Sequence, residues 1–298
     1  MASPQTGLFA LGTTSHAYLE LDVVPGVDPR TLVARVATFS EPRTTIGGVN
    51  LVSGFRPELW AAVAPEASPA GVHGFDEPVV GPGGATMPAT QHDAVVWLSG
   101  ASYDVVFDLS RTVVMALAGM ADHVHELVGW PYHHDLDLTG FIDGTENPTL
   151  VEALEVAVVP DGAVGAGASI LLLQQWEHDA IGWEAKSVDA QEDIIGRRKA
   201  DSEELDPRPP TSHVTRTDQE TFGKIFRRNV AYGTLLDHGT IFVGFSREQR
   251  RLESMLESMV GIGGPPDALV AVAHALTGAY YTIPSADALA RFGDEPDR

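Results

Sequence analysis

A chain of 298 residues, 44% of them apolar, holds enough hydrophobic material for one large domain or two of ordinary size, which excludes the disordered and fibrous classes. Its 41 acidic residues against 19 basic ones give a net charge of −22, a balance that repels phosphate backbones and anionic lipid and argues against nucleic acid and membrane surfaces as partners. There is no cysteine, so disulfides, thiolate ligands, iron–sulfur clusters and cysteine nucleophiles are excluded as well.

In chain order, the N-terminal stretch MASPQTGLFALGTTSHAYLELDV has no Lys or Arg before Arg30, so it lacks the basic region of a secretory signal, and the cytoplasm is the expected compartment. Alternation over HAYLELDV (16–23) predicts a strand, and Asp28-Pro29 is an N-cap and N1 pair opening a helix through LVARVATF. VNLVSGF (49–55) returns as a strand. A short helical segment near PELWAAVA and a Gly/Pro-rich loop lead to the strand DAVVWLSG, the helix SYDVVFDLSRTVVMALAG and the strand HVHELVGW. The second half repeats this order. ASILLLQQWEH reads as a strand, DAQEDIIGRRK as a helix, GTIFVGFS as a strand, Arg247 to Val260 as a helix and GAYYTIP as a strand. In the helix from Arg247, Leu252, Met255, Leu256, Met259 and Val260 share one face, and Ser246 with Gln249 has the spacing of a capping box. ALVAVAHAL, the most apolar stretch near the C-terminus, is far short of the ~18 residues that suggest a membrane span. The pattern is α+β: two ferredoxin-like β-α-β-β-α-β units, over 7–138 and 139–285, followed by a tail at 286–298.

Between the halves, GFIDGTENP (140–148) places Asp143 between glycines, where an ordinary turn is the plain reading. Of the eleven histidines, His16, His92, His123 and His125 fall in or beside predicted strands and read as structural. His133-His134-Asp135 could grip a metal, but adjacent histidines on an extended chain point to opposite faces, so only one could serve a given ion. His213 follows a rigid lead, DSEELDPRPP, and precedes KIFRRNVAYG, in which two arginines and an asparagine are bounded by apolar residues. Arginine on such a strand is costly to bury unless it faces an anion or a polar cavity; a salt-bridged edge strand is the other reading.

GFIDGTENP, IIGRRKADSEEL, SHVTR, IFRRN and LTGAYYTIPS, in that order and at that spacing, resemble the dye-decolorising peroxidases, in particular the bacterial B-type subfamily, over essentially the whole chain from Gly7 to Ser285. The resemblance implies two ferredoxin-like units packed as one α+β barrel, with haem b in the C-terminal half. It further implies His213 as the proximal iron ligand, a role that neutral imidazole commonly fills. Asp267 in GGPPDALV would accept the ligand's other ring N–H, while a helix N-cap is its plain alternative, and the two are compatible. Asp143, Arg227 and Asn229 would line the distal side: Asp143 relays the peroxide proton, Arg227 polarises and Asn229 orients. Arg197 would pair with a haem propionate, with Arg198 and Lys199 as surface charges. Phe242 and Phe245 would flank the haem, although core packing accounts for them equally well.

The implied activity is oxidation of bulky aromatic donors, such as dyes and phenols, by hydrogen peroxide through a ferryl intermediate. The expected protein is a cytoplasmic homo-oligomer. Its C-terminus, ADALARFGDEPDR, does not resemble the peptide that loads some relatives into a nanocompartment. One alternative is haem binding or trafficking without turnover, which would keep His213 and need neither Asp143 nor Arg227. Chlorite or haem-modifying chemistry is a further one, but relatives of that kind lack the acidic turn. Surface radical sites at Trp176 or Tyr281 are not assignable from sequence, since strand aromatics usually pack in the core.

Overall fold

The computed structural model describes residues 2–39 and 48–293; the end of the expected tail, 294–298, lies outside the described residues. Alternation in the first strand, β1 (Ser15–Val23), sorts its side chains onto two faces. Ala17, Leu19 and Leu21 join one apolar cluster and Tyr18 another. The same period runs through β2 (Val49–Phe55), β3 (Ala94–Gly100), β4 (Ala121–Trp130), β5 (Ser169–His178), β6 (Val230–Gly233), β7 (His238–Ser246) and β8 (Ala279–Ile283). These eight strands pair antiparallel in the order β5-β8-β2-β3-β1-β4-β6-β7, and β7 pairs back onto β5 to close the ring. Within each half the order is second, third, first, fourth strand (β2-β3-β1-β4 and β6-β7-β5-β8), so the two ferredoxin-like units are joined through β4–β6 and β8–β2.

The closed sheet has an inside and an outside, and each is apolar. Inside lie Tyr18, Trp97, Leu171, Leu173, Ile241, Val243, Phe245 and Tyr281. Outside the N-terminal unit, helices α1 (Pro29–Ala37) and α2 (Tyr103–Ala116) bury Leu32, Val33, Val106 and Val113 against β1 and β3. Asp28 caps α1, its Oδ1 accepting from Arg30 N at 2.9 Å. Outside the C-terminal unit, α4 (Gln249–Met259) covers β5 and β7, with Leu252, Met255, Leu256 and Met259 facing Ile170, Leu172 and Trp176, while α3 (Val188–Ile195) packs Ile195 with Phe141, Trp183 and Val272.

The barrel interior also contains polar groups. Glu20, 2% exposed, accepts from the Tyr281 hydroxyl at 2.5 Å and contacts His125 Nδ1 at 2.8 Å. This bond to Glu20 is the main cause of the upward pKa shift of His125, while burial holds the Tyr281 phenol well above its ordinary range. Tyr281 is therefore wholly internal, while Trp176, on the outer face of β5, is covered but for 8% of its surface.

Several local expectations differ from the structure. α3 stops at Ile195, because Gly196 takes a left-handed φ of 94° and turns the chain, so Arg197, Arg198 and Lys199 lie beyond the helix. Lys199 is half-buried, not a surface charge: its Nζ donates to Gln191 Oε1 at 2.7 Å and sits 5.3 Å from the centre of the Phe141 ring. Ser246 and Gln249 form no capping box. Glu248 is the N-cap of α4, and the Gln249 amide instead brackets the His73 backbone, accepting from N and donating to O, both at 3.0 Å. A capping box does occur at Thr149 and Glu152, opening a helix at Leu150–Ala157.

Candidate active site

On the outer face of β5 and β7 the period-two rule presents Leu172, Gln174, Trp176 and His178 from one strand, and Thr240 and Phe242 from the other. α4, the 137–146 turn and the short helix His213–Arg216 wall these residues in, leaving a cleft of about 1350 Å³ of atom-free space, its solvent-open mouth included. Phe245 does not line this cleft. It lies three residues from Phe242, so the strand turns it to the opposite face, where it packs in the barrel interior 6.0 Å from Trp97.

One polar group in the wall is His213. Its Nδ1 lies 2.7 Å from Oδ2 of Asp267, a carboxylate with no exposed side-chain surface. An ionised carboxylate only accepts, so Nδ1 carries the hydrogen and Nε2 keeps its lone pair. Asp267 is a cap as well: its Oδ1 accepts from Leu269 N at 2.8 Å at the head of the turn Ala268–Ala271. The imidazole is thus fixed in tautomer and in orientation by a residue that is itself held at both oxygens.

A second group comes from the turn and the strand segment Phe226–Arg227. Gly140 and Gly144 adopt φ of 82° and 79°, which bend the chain around Asp143, and the Asp143 amide donates to Asp135 O at 2.7 Å. Asn147 then ties the turn to the strand. Its Nδ2 donates to Arg227 O and its Oδ1 accepts from Arg227 N, both at 2.9 Å, a two-bond clamp between side chain and backbone. The Arg227 guanidinium approaches Asp143 no closer than 3.9 Å, and its Nε is buried without a hydrogen-bond partner among the described residues. Asn229 spends its Oδ1 on Val243 N at 2.9 Å, leaving its NH₂ for the cleft. The adjacent Arg228 faces away. It is 9% exposed and donates to the carbonyls of Leu8 and Ala10 at 2.8 and 2.6 Å while stacking over Trp97, which compensates its burial without a carboxylate.

At the mouth of the cleft Arg197 is 9% exposed, and its Nη2 donates to Glu146 Oε1 at 2.6 Å and Glu204 Oε1 at 2.7 Å. The guanidinium therefore already carries two carboxylates, neither of which sequence reasoning singled out. The Glu146–Glu204 pair and His178 are cleft residues it missed, as is Asn147, which supports the cleft through the Arg227 backbone. Asn147 belongs to the quoted turn motif, but its amide acts on a strand 80 residues away.

The donor set fits a haem. A neutral imidazole lone pair, long apolar walls from Leu172, Phe242, Leu252, Met255, Leu256 and Met259, and a buried guanidinium nitrogen with no partner answer to a flat, apolar, iron-bearing group and a small polar ligand beside it.

Comparison with known proteins points the same way. The family model described as "Dyp-type peroxidase, C-terminal" matches residues 134–288. The dye-decolorizing peroxidase of Mycolicibacterium paratuberculosis is 34% identical over 276 residues, covering 89% of this chain and 75% of that protein. Among solved structures, DyPB from Rhodococcus jostii RHA1 superposes with a TM-score of 0.86 at 31% identity, over 98% of this chain and 99% of that one. A variant of the same Rhodococcus protein, solved in complex with haem, gives 0.83 at 31% identity over 93% of this chain and 95% of its own.

Proposed function

Because the chain belongs to the dye-decolorising peroxidase family, in its B-type branch, and is a haem peroxidase, we propose that it oxidises bulky aromatic donors, dyes and phenols among them, with His213 holding the haem iron and Asp143, Arg227 and Asn229 acting on the peroxide. The observation that carries this reading is the buried, unpartnered Arg227 Nε beside a carboxylate that does not clamp it. Haem, when bound, supplies the iron that peroxide meets and the two electrons that reduce it.

The chain's own residues do the rest. Asp143 takes the proton from the peroxide oxygen nearer the iron and returns it to the farther one, so that water departs. Arg227 stays protonated and stabilises the charge that gathers on the departing oxygen. Asn229 donates from its free amide and holds the peroxide in line. His213 presents Nε2, and Asp267 draws on its Nδ1–H, which raises the basicity of the imidazole. Arg197, whose guanidinium already serves Glu146 and Glu204, would hold a propionate at the cleft mouth, and Phe242 would supply apolar wall to the macrocycle. The reading extends to a cytoplasmic homo-oligomer; among the described residues no helix is long and apolar enough to cross a membrane.

Asp267→Asn is expected to retain haem, since Asn still accepts from Leu269 N, but to raise the ferric/ferrous potential, because a less basic imidazole stabilises ferric iron less. Spectroelectrochemical titration reads this directly. A potential equal to the wild type would leave Asp267 as a cap alone. Asn147→Ala removes both bonds to the Arg227 backbone, each worth roughly 0.5–1.5 kcal/mol. The expected result is a folded, haem-loaded protein whose reaction with peroxide slows about tenfold, since small displacements of a catalytic group cost rate steeply. Stopped-flow rates at the wild-type value would show that Arg227 is positioned without the clamp.

A further inference from the structure

A second cavity, of about 590 Å³ of atom-free space including its open mouth, adjoins the cleft, bordered by Tyr132, Trp183, Glu184 and His238 and sharing His178 and Thr139 with it. His178, at the end of β5, stands in the dividing wall. Its protonation pattern follows from its neighbours. The Thr240 hydroxyl has one hydrogen and gives it to Asp137 Oδ2 at 2.5 Å. The Thr240 hydroxyl oxygen lies 3.2 Å from His178 Nε2, so it accepts there, and Nε2 bears the imidazole hydrogen. Nδ1 is left as an open lone pair, with no hydrogen-bond partner among the described residues. Asp137 and Thr240 border only the first cleft, so the ring is anchored on that side, while His178 also lines the second cavity. Burial lowers the His178 pKa, Asp137 opposes this and His238 adds to it, so the ring is neutral at pH 7 and its Nδ1 lone pair is not protonated. The indole of Trp183 is pinned in the cavity wall by its Nε1–H donating to Thr139 O at 3.0 Å.

We propose that the second cavity docks a small neutral phenol and that His178 Nδ1 takes the phenolic proton as the electron leaves. This rests on the peroxidase reading and names the site of one substrate class within it. The phenol O–H bond breaks and an N–H bond forms at Nδ1. One electron passes to the peroxide-oxidised haem in the adjoining cleft, and a phenoxyl radical departs. Two such events per peroxide balance the reaction: two phenols and one hydrogen peroxide give two phenoxyl radicals and two waters. The new imidazolium points its Nε2–H through Thr240 at the Asp137 carboxylate, which offsets the charge until the proton returns to water. Without a base, the phenol would have to lose its electron first and form an acidic cation, a costlier route. Glu184 in the wall disfavours carboxylate-bearing donors.

The test compares two donors on the haem-loaded enzyme. Guaiacol has a phenolic O–H, whereas tetramethylphenylenediamine gives up an electron and has no such proton. His178→Gln keeps a polar side chain but no base. It is expected to lower kcat for guaiacol at least tenfold relative to tetramethylphenylenediamine and to enlarge the solvent deuterium isotope effect on guaiacol oxidation. A second variant, Ala180→Phe, fills the cavity from a residue that borders it alone, and is expected to raise the guaiacol KM several-fold and to abolish guaiacol binding seen by saturation-transfer NMR. If His178→Gln lowers both donors equally, His178 serves the haem cleft and the proposal is overturned. If guaiacol binds and turns over normally in Ala180→Phe, the cavity is not its site and the proposal is likewise overturned. A wild type that oxidises neither donor contradicts the peroxidase reading itself, and the proposal falls with it.

Discussion

Replacing His213 by Ala is expected to abolish histidine-ligated haem. On the proposed reading the ligand nitrogen would be Nε2, because the 2.7 Å contact with Asp267 occupies Nδ1, and no other histidine in the cleft has its second nitrogen committed to a buried carboxylate among the described residues. The apolar walls remain in the variant, so a flat macrocycle can still enter, but without the axial bond its affinity should fall by orders of magnitude and its spectrum should lose the signature of an axial imidazole. The loss should be restored in part by adding imidazole, which fits the space left by the side chain. Absorption and electron paramagnetic resonance spectra of the purified variant check this. A Soret band and an axial-ligand signature like those of the wild type would assign the iron to a different residue.

The second large effect concerns the two groups above. Arg227→Leu is expected to slow the reaction with peroxide about 10²–10³-fold, the range for loss of one preorganised donor to a developing anion. Asp143→Ala should cost less. The structural reason lies in how each is held. Arg227 is fixed by the Asn147 clamp and by pairing with Gly244, and its side chain is only 15% exposed, so nothing replaces its charge. Asp143 sits on a turn with its side chain 26% exposed, within reach of solvent, where a water can take over the relay of a proton. Stopped-flow measurement of the peroxide step for both variants at one pH compares them. An Asp143→Ala rate more than tenfold below that of Arg227→Leu would make the carboxylate the dominant group and reverse the ranking.

Much of this architecture is legible in the letters, because local rules and the global fold agree there. The alternation of HAYLELDV, the Asp28-Pro29 start and the apolar face of α4 each become what their periods imply. Two of the misplaced expectations share a cause: a tertiary partner competed with the local signal. Gln249 had the spacing of a capping box, but the His73 backbone, 176 residues away, takes its amide. Lys199 reads as a solvated charge until Phe141 supplies a ring for it. Phe245 is different, since strand parity alone separates it from Phe242 and was available from sequence. Glu146 and Glu204 converge on Arg197 from separate segments, and His178 is an unremarkable strand histidine until Thr240 and Asp137 fix its tautomer; neither grouping leaves a one-dimensional trace.

The central claim is that the cleft between β5, β7 and α4 is a haem peroxidase centre served by Arg227 and Asp143. The most direct test is to mix the haem-loaded wild-type protein with one equivalent of hydrogen peroxide in a stopped-flow spectrometer and then add an aromatic donor. The account predicts a fast change in the haem spectrum, first order in peroxide, that the donor reverses with a rate rising with its concentration. A haem spectrum that stays unchanged, or that bleaches without recovery on adding donor, would contradict it.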